Sequence, residues 1–333
     1  MSQNAPEYQS DHPAMGTDGT VFCAALESGL LAFTGPDAQA FLQGQLSNDL
    51  DKLPDGAVQM SSYNSAKGRM LATLLIWRVG SDSFRALVAA DLAEPLRKRL
   101  SMFVLRSKVT IADLSPDHAL LGIGGTGSPA AVRAALGPAP DPGHVLVGET
   151  GTLVGLPDGR IVVVTPIAFA DSLRKKLATD ATEVSAETWR WLGIRAGVPV
   201  IGAATQDLFV LQTANWDLLA GVSFQKGCYP GQEIVARTQY LGKLKERMQL
   251  FHADGPPPAP ATKIYGAMFG EQACGTVVDA AKAPGGGVDL LAILQLSALD
   301  GSLHLGTPDG PALVHLPLPY SLPAPVTPNR PKL

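Results

Sequence analysis

Apolar and polar positions alternate along this chain in two rhythms, and the rhythm switches often. Gly29–Thr34 is a short apolar strand that stops at Gly35-Pro36-Asp37, where a proline and an acid open a helix. Ala38, Phe41, Leu42 and Leu46 form a stripe along one face of that helix. Val58–Asn64 reads as a strand, Lys67-Gly68-Arg69 as a turn, and Met70–Val79 and Phe84–Ala90 as further strands. Leu92–Val104 is an amphipathic helix with Arg97-Lys98-Arg99 on its wet side, and Lys108–Asp113 is a last strand. The order β-α-β-β-β-α-β is close to the split βαβ pattern of ferredoxin-like folds with one strand added.

A second round starts at His118–Ile123 and continues with a short helix near Ala130–Leu136 and a proline-rich loop at Gly137–Gly143. A hairpin turning at Pro157-Asp158-Gly159 follows, then helices at Phe169–Leu177 and Glu187–Ala196. The prolines of His252–Thr262 predict a stiff linker. Beyond it lie short strand-like runs at Thr276–Asp279, Val288–Leu294, Leu303–Leu305 and Ala312–His315, predicting a small β-barrel or sandwich. The expected organisation is a disordered leader over 1–20, α+β domains over 21–115 and 116–248, a β-barrel over 249–325 and a tail over 326–333.

Composition narrows the class. With 46% hydrophobic and 17% charged residues among 333, the chain can fill a large core. A net charge of −4 excludes a generally basic nucleic-acid binder and a disordered polyelectrolyte. The three cysteines, Cys23, Cys228 and Cys274, contain no Cys-x-x-Cys, which argues against a disulfide framework or an all-cysteine zinc site. The polar N-terminus and the lack of a membrane-length apolar run predict a soluble, cytoplasmic protein.

Gly122-Ile-Gly124-Gly-Thr-Gly127 fits the dinucleotide pattern G-x-G-x-x-G, with Glu149 at the spacing of a ribose-binding acid. It reads as a turn instead. The helix after it is too short, a proline-rich loop replaces the crossover, and a hairpin follows in place of a parallel strand.

The segment with the sharpest chemistry is Lys226-Gly-Cys228-Tyr229-Pro230-Gly231-Gln232-Glu233. Pro230 and Gly231 occupy the central positions of a type II turn, and Gln232–Arg237 begins a helix in which Glu233 and Arg237 stand four apart. A thiol beside a lysine and just before a helix N-terminus has two reasons for a lowered pKa. Cys228 is therefore a candidate nucleophile, redox group or soft-metal ligand, against the alternative of a buried residue packing a turn. Cys23 and Cys274 lack such neighbours and read as core. Downstream, Arg237, Lys243, Lys245 and Arg247 form a basic cluster suited to folate glutamates or RNA phosphates, or simply a solvated helix face.

This string resembles the signature of the YgfZ-type folate-binding proteins, relatives of the glycine-cleavage aminomethyltransferase (T-protein). Thr34–Asp49, Asn64–Arg69, Trp189–Pro199 and Leu318–Ser321 are similar to other parts of the family, so the resemblance runs from about residue 25 to 322. It implies an α+β fold: two tandem ferredoxin-like, T-protein-type domains and a C-terminal β-barrel in a ring around a cavity for tetrahydrofolate or a one-carbon derivative. It also implies a monomer that helps to assemble or repair iron–sulfur clusters in client enzymes, some of which modify tRNA, with weak tRNA contact possible. By motif, Lys226 and Cys228 are the essential pair and Trp189 a folate contact, with packing against Trp191 as the alternative for Trp189. Asn48, Asp49, Gln212 and Asn215 are further candidates for the cavity, and Tyr229, Gln232, Glu233 and Arg237 complete the expected site. The chain departs from the family at Phe209-Val-Leu211-Gln212 and near Ser28, which places one wall of the folate site in question. Two other functions compete: a true folate-dependent aminomethyltransferase, and a non-catalytic RNA-binding or scaffold module.

Overall fold

The structure, a computed structural model, describes residues 19–241 and 244–323. The expected leader up to residue 18, Lys243 and the 326–333 tail lie outside them. In chain order the elements are β1 (Phe22–Ala25), β2 (Ser28–Thr34), α1 (Ala38–Gln45), β3 (Val58–Asn64), β4 (Met70–Gly80), β5 (Ser83–Ala89), α2 (Ala93–Ser101) and β6 (Thr110–Asp113). Next come β7 (His118–Gly124), α3 (Ser128–Leu136), β8 (Val145–Gly148), β9 (Gly151–Gly155), β10 (Ile161–Pro166), α4 (Ile167–Leu177), β11 (Thr182–Glu183), α5 (Ala186–Arg195) and α6 (Gln232–Leu241). The last strands are β12 (Glu246–Ala253), β13 (Lys263–Gly266), β14 (Ala273–Lys282), β15 (Val288–Gln295), β16 (Leu303–Leu305) and β17 (Leu313–Leu316).

The first round folds as an antiparallel sheet in the order β3-β4-β5-β2-β6. Phe41 and Leu42 of α1 and Leu96 and Leu100 of α2 are buried against Phe33, Phe84 and Ile76. Full burial of each such side chain contributes about 1.5–3 kcal/mol, which is how an eight-residue helix persists.

The second sheet runs β11-β1-β7-β10-β9-β8. Its second strand is β1, from the start of the described chain, which pairs antiparallel with β7. The chain thus enters the second sheet before it builds the first. The glycine pattern has its explanation here. A Cβ on Gly122 would lie 2.5 Å from the Trp189 ring, and one on Gly124 would lie 2.8 Å from the Phe22 ring. These glycines admit aromatic rings; the sheet around them is antiparallel, with no crossover to carry a dinucleotide. Leu30 and Trp77 of the first sheet share a buried cluster with Leu120 and Val162 of the second.

The third sheet, β16-β13-β14-β15-β12-β17, curls into a half-barrel, and a bridge between His304 and Ala312 links its two edges. The proline-rich segment is a loop inside this sheet, joining β12 to β13, and not a linker between domains. Proline has no N–H for a ladder, so the run ends β12 and pushes the chain out to solvent. Between α5 and α6, residues 211–220 form a buried succession of turns. Arg247 of β12 holds this strap: it donates to the Gln212 carbonyl at 2.7 Å and to both carboxylate oxygens of Asp217 at 2.7 and 2.9 Å. Arg247 is therefore buried and does not belong to an exposed basic cluster. No helix among the described residues is long and apolar enough to cross a membrane.

Candidate functional site

The thiol loop follows the strap and is pinned at both ends. Ser223 N–H donates to the Ser47 carbonyl at 3.0 Å. Lys226 Nζ donates to the carbonyls of Gln43, Leu46 and Asn48 at 2.6, 2.7 and 2.8 Å. These are carbonyls at and just past the C-terminus of α1, left without intrahelical partners, and the ammonium satisfies three of them together. Burial pulls the Lys226 amine down to about 8, against the opposing pull of Asp49 and Asp51. Its charge is committed to α1 and the Tyr229 ring, whose centroid lies 5.3 Å away. Tyr229 is buried, which pushes its hydroxyl up to about 12. The type II turn is present: Gly231 has φ +79°, and Gln232 N–H returns to the Tyr229 carbonyl at 3.3 Å. A Cβ on Gly231 would lie 2.4 Å from the Ser65 carbonyl oxygen, so the loop sits flat on the Ser65–Gly68 turn. Only glycine allows that approach. The thiol of Cys228 is exposed on this rigid platform, whereas Cys23 and Cys274 are buried and their thiols are pushed up by burial.

The remaining candidates divide by place. Gln232 Oε1 accepts from Tyr229 N–H at 3.3 Å, while Glu233 and Arg237 are exposed on α6 and form no ion pair with each other. Asn48 Nδ2 bridges the Met60 and Ala220 carbonyls at 2.8 and 2.7 Å. Burial opposes ionisation of Asp49, but hydrogen bonds from Gln43 and Lys52 hold its carboxyl below the usual range. Gln212 Nε2 donates to the Val235 carbonyl, and Asn215 Nδ2 to the Met248 carbonyl and the Tyr320 hydroxyl. Asn48, Gln212 and Asn215 hold backbone together, and Asp49 pairs with the Gln43 and Lys52 side chains; none of the four lines the cavity.

That cavity has a volume of about 470 Å³ and draws its walls from all three parts of the fold. Leu87 and Val88 come from the first sheet, Leu156 and Val162 from the second, and Val278 and Asp279 from the half-barrel. Among the candidate residues, Trp189 alone lines it. The Arg160 guanidinium lies 4.4 Å from the Trp189 ring centroid and is bound to Asp158 at 2.6 Å, both groups being buried. Trp191 points elsewhere, donating to Asp289 at 2.7 Å, so the two tryptophans pack in separate clusters. A second guanidinium–carboxylate pair, Arg190 with Asp279, stands in the same wall. Arg160, Arg190 and Asp279 escaped the sequence reading. An acid inside the apolar run Thr276-Val-Val-Asp279-Ala-Ala was the available signal.

Known proteins share this architecture. The family model for the GCVT N-terminal domain matches residues 9–139. The glycine cleavage system aminomethyltransferase T from Bartonella henselae superposes with a TM-score of 0.75, covering 94% of this chain and 88% of that one at 15% identity. The fold is of the aminomethyltransferase class. "tRNA-modifying protein YgfZ" of Shigella sonnei (strain Ss046) is 32% identical over 298 residues, 88% of this chain and 91% of its own length. The protein of that name from Escherichia coli O157:H7 (strain EC4115 / EHEC) is 33% identical over the same shares. The chain belongs to the YgfZ family.

Proposed function

We propose that this protein binds tetrahydrofolate, or a one-carbon derivative of it, in the central cavity. Through Cys228 it serves the assembly or repair of iron–sulfur clusters on which client enzymes, including tRNA-modifying ones, depend. The observation that carries the reading is the cavity itself. Its volume suits a ligand of this size, and most of its lining is apolar. Trp189 offers an aromatic surface for a pterin or aminobenzoate ring. Bound tetrahydrofolate supplies a reduced pterin able to carry one-carbon groups. Cys228 is an exposed thiol outside that cavity, so it is suited to meeting a macromolecule and not to touching the pterin. One thiol cannot enclose a cluster; as cargo, the cluster takes its other ligands from a client or carrier.

Anaerobic titration with tetrahydrofolate tests this. Saturable quenching of tryptophan fluorescence is expected in the wild type, with affinity reduced about three- to tenfold and a smaller amplitude in Trp189→Phe, the scale of a lost aromatic contact. Absence of saturable binding to the wild type refutes the folate assignment. Conversion of a lipoyl-bound aminomethyl group to methylene-folate would make the protein an aminomethyltransferase instead.

A further inference from the structure

Asp279 is an acid in the middle of an apolar strand, and it is only 6% exposed. Regular strands send successive side chains to opposite faces, yet Val278 and Asp279 both line the cavity. The register of β14 against β15 slips between Val277 and Asp279, a bulge that re-aims the side chain. The carboxylate is used unevenly. Oδ1 accepts from Arg190 Nε at 2.6 Å, from Arg190 Nη2 and from Ala280 N–H at 2.8 Å. Oδ2 has no hydrogen-bond partner among the described residues, although it is not sealed from the cavity. A carboxylate oxygen of a largely buried side chain, reached only from the cavity, takes its donor from whatever fills that cavity. Arg190 follows Trp189 on α5, so its bonds to Oδ1 tie the carboxylate to the helix that carries the cavity's aromatic wall.

We infer that Asp279 is a ligand-orienting residue whose Oδ2 accepts an N–H from a flat heterocycle lying against Trp189. The ligand class is a ring with a donor edge; within the folate reading, on which this rests, that edge is the 2-aminopyrimidinone of the pterin. A carboxylate oxygen accepts from an amino group and repels a carbonyl in the same place. The site therefore selects a 2-amino ring over its 2-oxo counterpart.

Displacement calorimetry against bound tetrahydrofolate reads this selection, with pterin and lumazine, its 2-oxo analogue, as competitors. Wild-type protein is expected to release tetrahydrofolate to pterin at a concentration at least tenfold below that needed with lumazine. In Asp279→Asn, whose amide oxygen can still accept from Arg190 and Ala280, the preference is expected to fall below about threefold and tetrahydrofolate affinity to drop about tenfold or more. Equal potency of the two competitors on the wild type, or displacement by neither, overturns the assignment without recourse to the variant. So does an unchanged preference in a folded Asp279→Asn. A wild type that takes up no tetrahydrofolate overturns the folate reading as well, so the two failures are distinct.

Discussion

The thiol loop takes its shape from a few consecutive residues: the Pro230-Gly231 turn, the Gln232 side chain returning to Tyr229, and the helix that follows. Its anchors are backbone atoms of α1 and of the Ser65–Gly68 turn. The cavity has no such local author. Its aromatic wall comes from α5, its buried carboxylates from the β9–β10 turn and from β14, and its apolar faces from β3, β4, β5 and β10. A site built locally tolerates change elsewhere but not within its own turn. A site assembled from three sheets is exposed to anything that shifts one sheet against another. The two meet at the strap, which lends Trp216 to the cavity wall and leads directly into the loop.

Replacing the thiol separates the two regions most completely. Cys228→Ala is expected to abolish rescue of iron–sulfur enzyme activity in a bacterial strain lacking its own family member. Tetrahydrofolate affinity and melting temperature should stay unchanged, because the thiol is exposed and packs nothing. Full rescue by this variant would remove Cys228 from the function.

The strap is the next point of attack. Arg247→Ala leaves Asp217 charged and half-starved of donors in the interior, and the side-chain pair it breaks is 8% and 10% exposed. The expected loss is about 3–5 kcal/mol, read from the urea midpoint. A loss below about 1 kcal/mol would mean that the strap is held by packing alone. Both sites should weaken together in this variant, unlike in Cys228→Ala.

The smallest effect concerns pH. Folding lowers the Lys226 amine to about 8, so between there and its ordinary range near 10.5 the unfolded chain keeps a proton that the folded chain has shed. Where the unfolded state binds more protons, stability rises with pH. The contribution of this residue to stability should therefore be least favourable below pH 8 and improve through that window. Comparing urea midpoints at pH 7.5 and 10 tests it. The rise in the wild type should exceed that in Lys226→Met, and equal rises would place the amine in solvent.

Much of the first two sheets was legible because their signals are local. Val58–Asn64 is a strand with the bounds its sequence predicts, and Pro36-Asp37 opens α1 where proline and acid predict. The missed strands have physical reasons. β1 is four residues long, and its partner β7 lies almost a hundred positions away. β12 runs into the proline-rich loop, whose composition suggested a domain boundary although the strands on either side belong to one sheet. The Lys226–Cys228 motif was visible, but the role of its lysine was not. Adjacency in sequence suggested a charge acting on the thiol, and the fold turns that charge toward three carbonyls at and just past the end of α1.

The residue order alone determined most of the elements, the turn beneath Cys228 and the family, since all three rest on short-range patterns of side-chain size, charge and backbone freedom. Tertiary structure decided which polar residues are structural and which face the cavity. Asn48, Gln212 and Asn215 bind backbone, and Asp279 is aimed into the cavity by a bulge in β14. The reason is that hydrogen-bond partners and burial depend on contacts between distant segments, which form only when the three sheets close on one another.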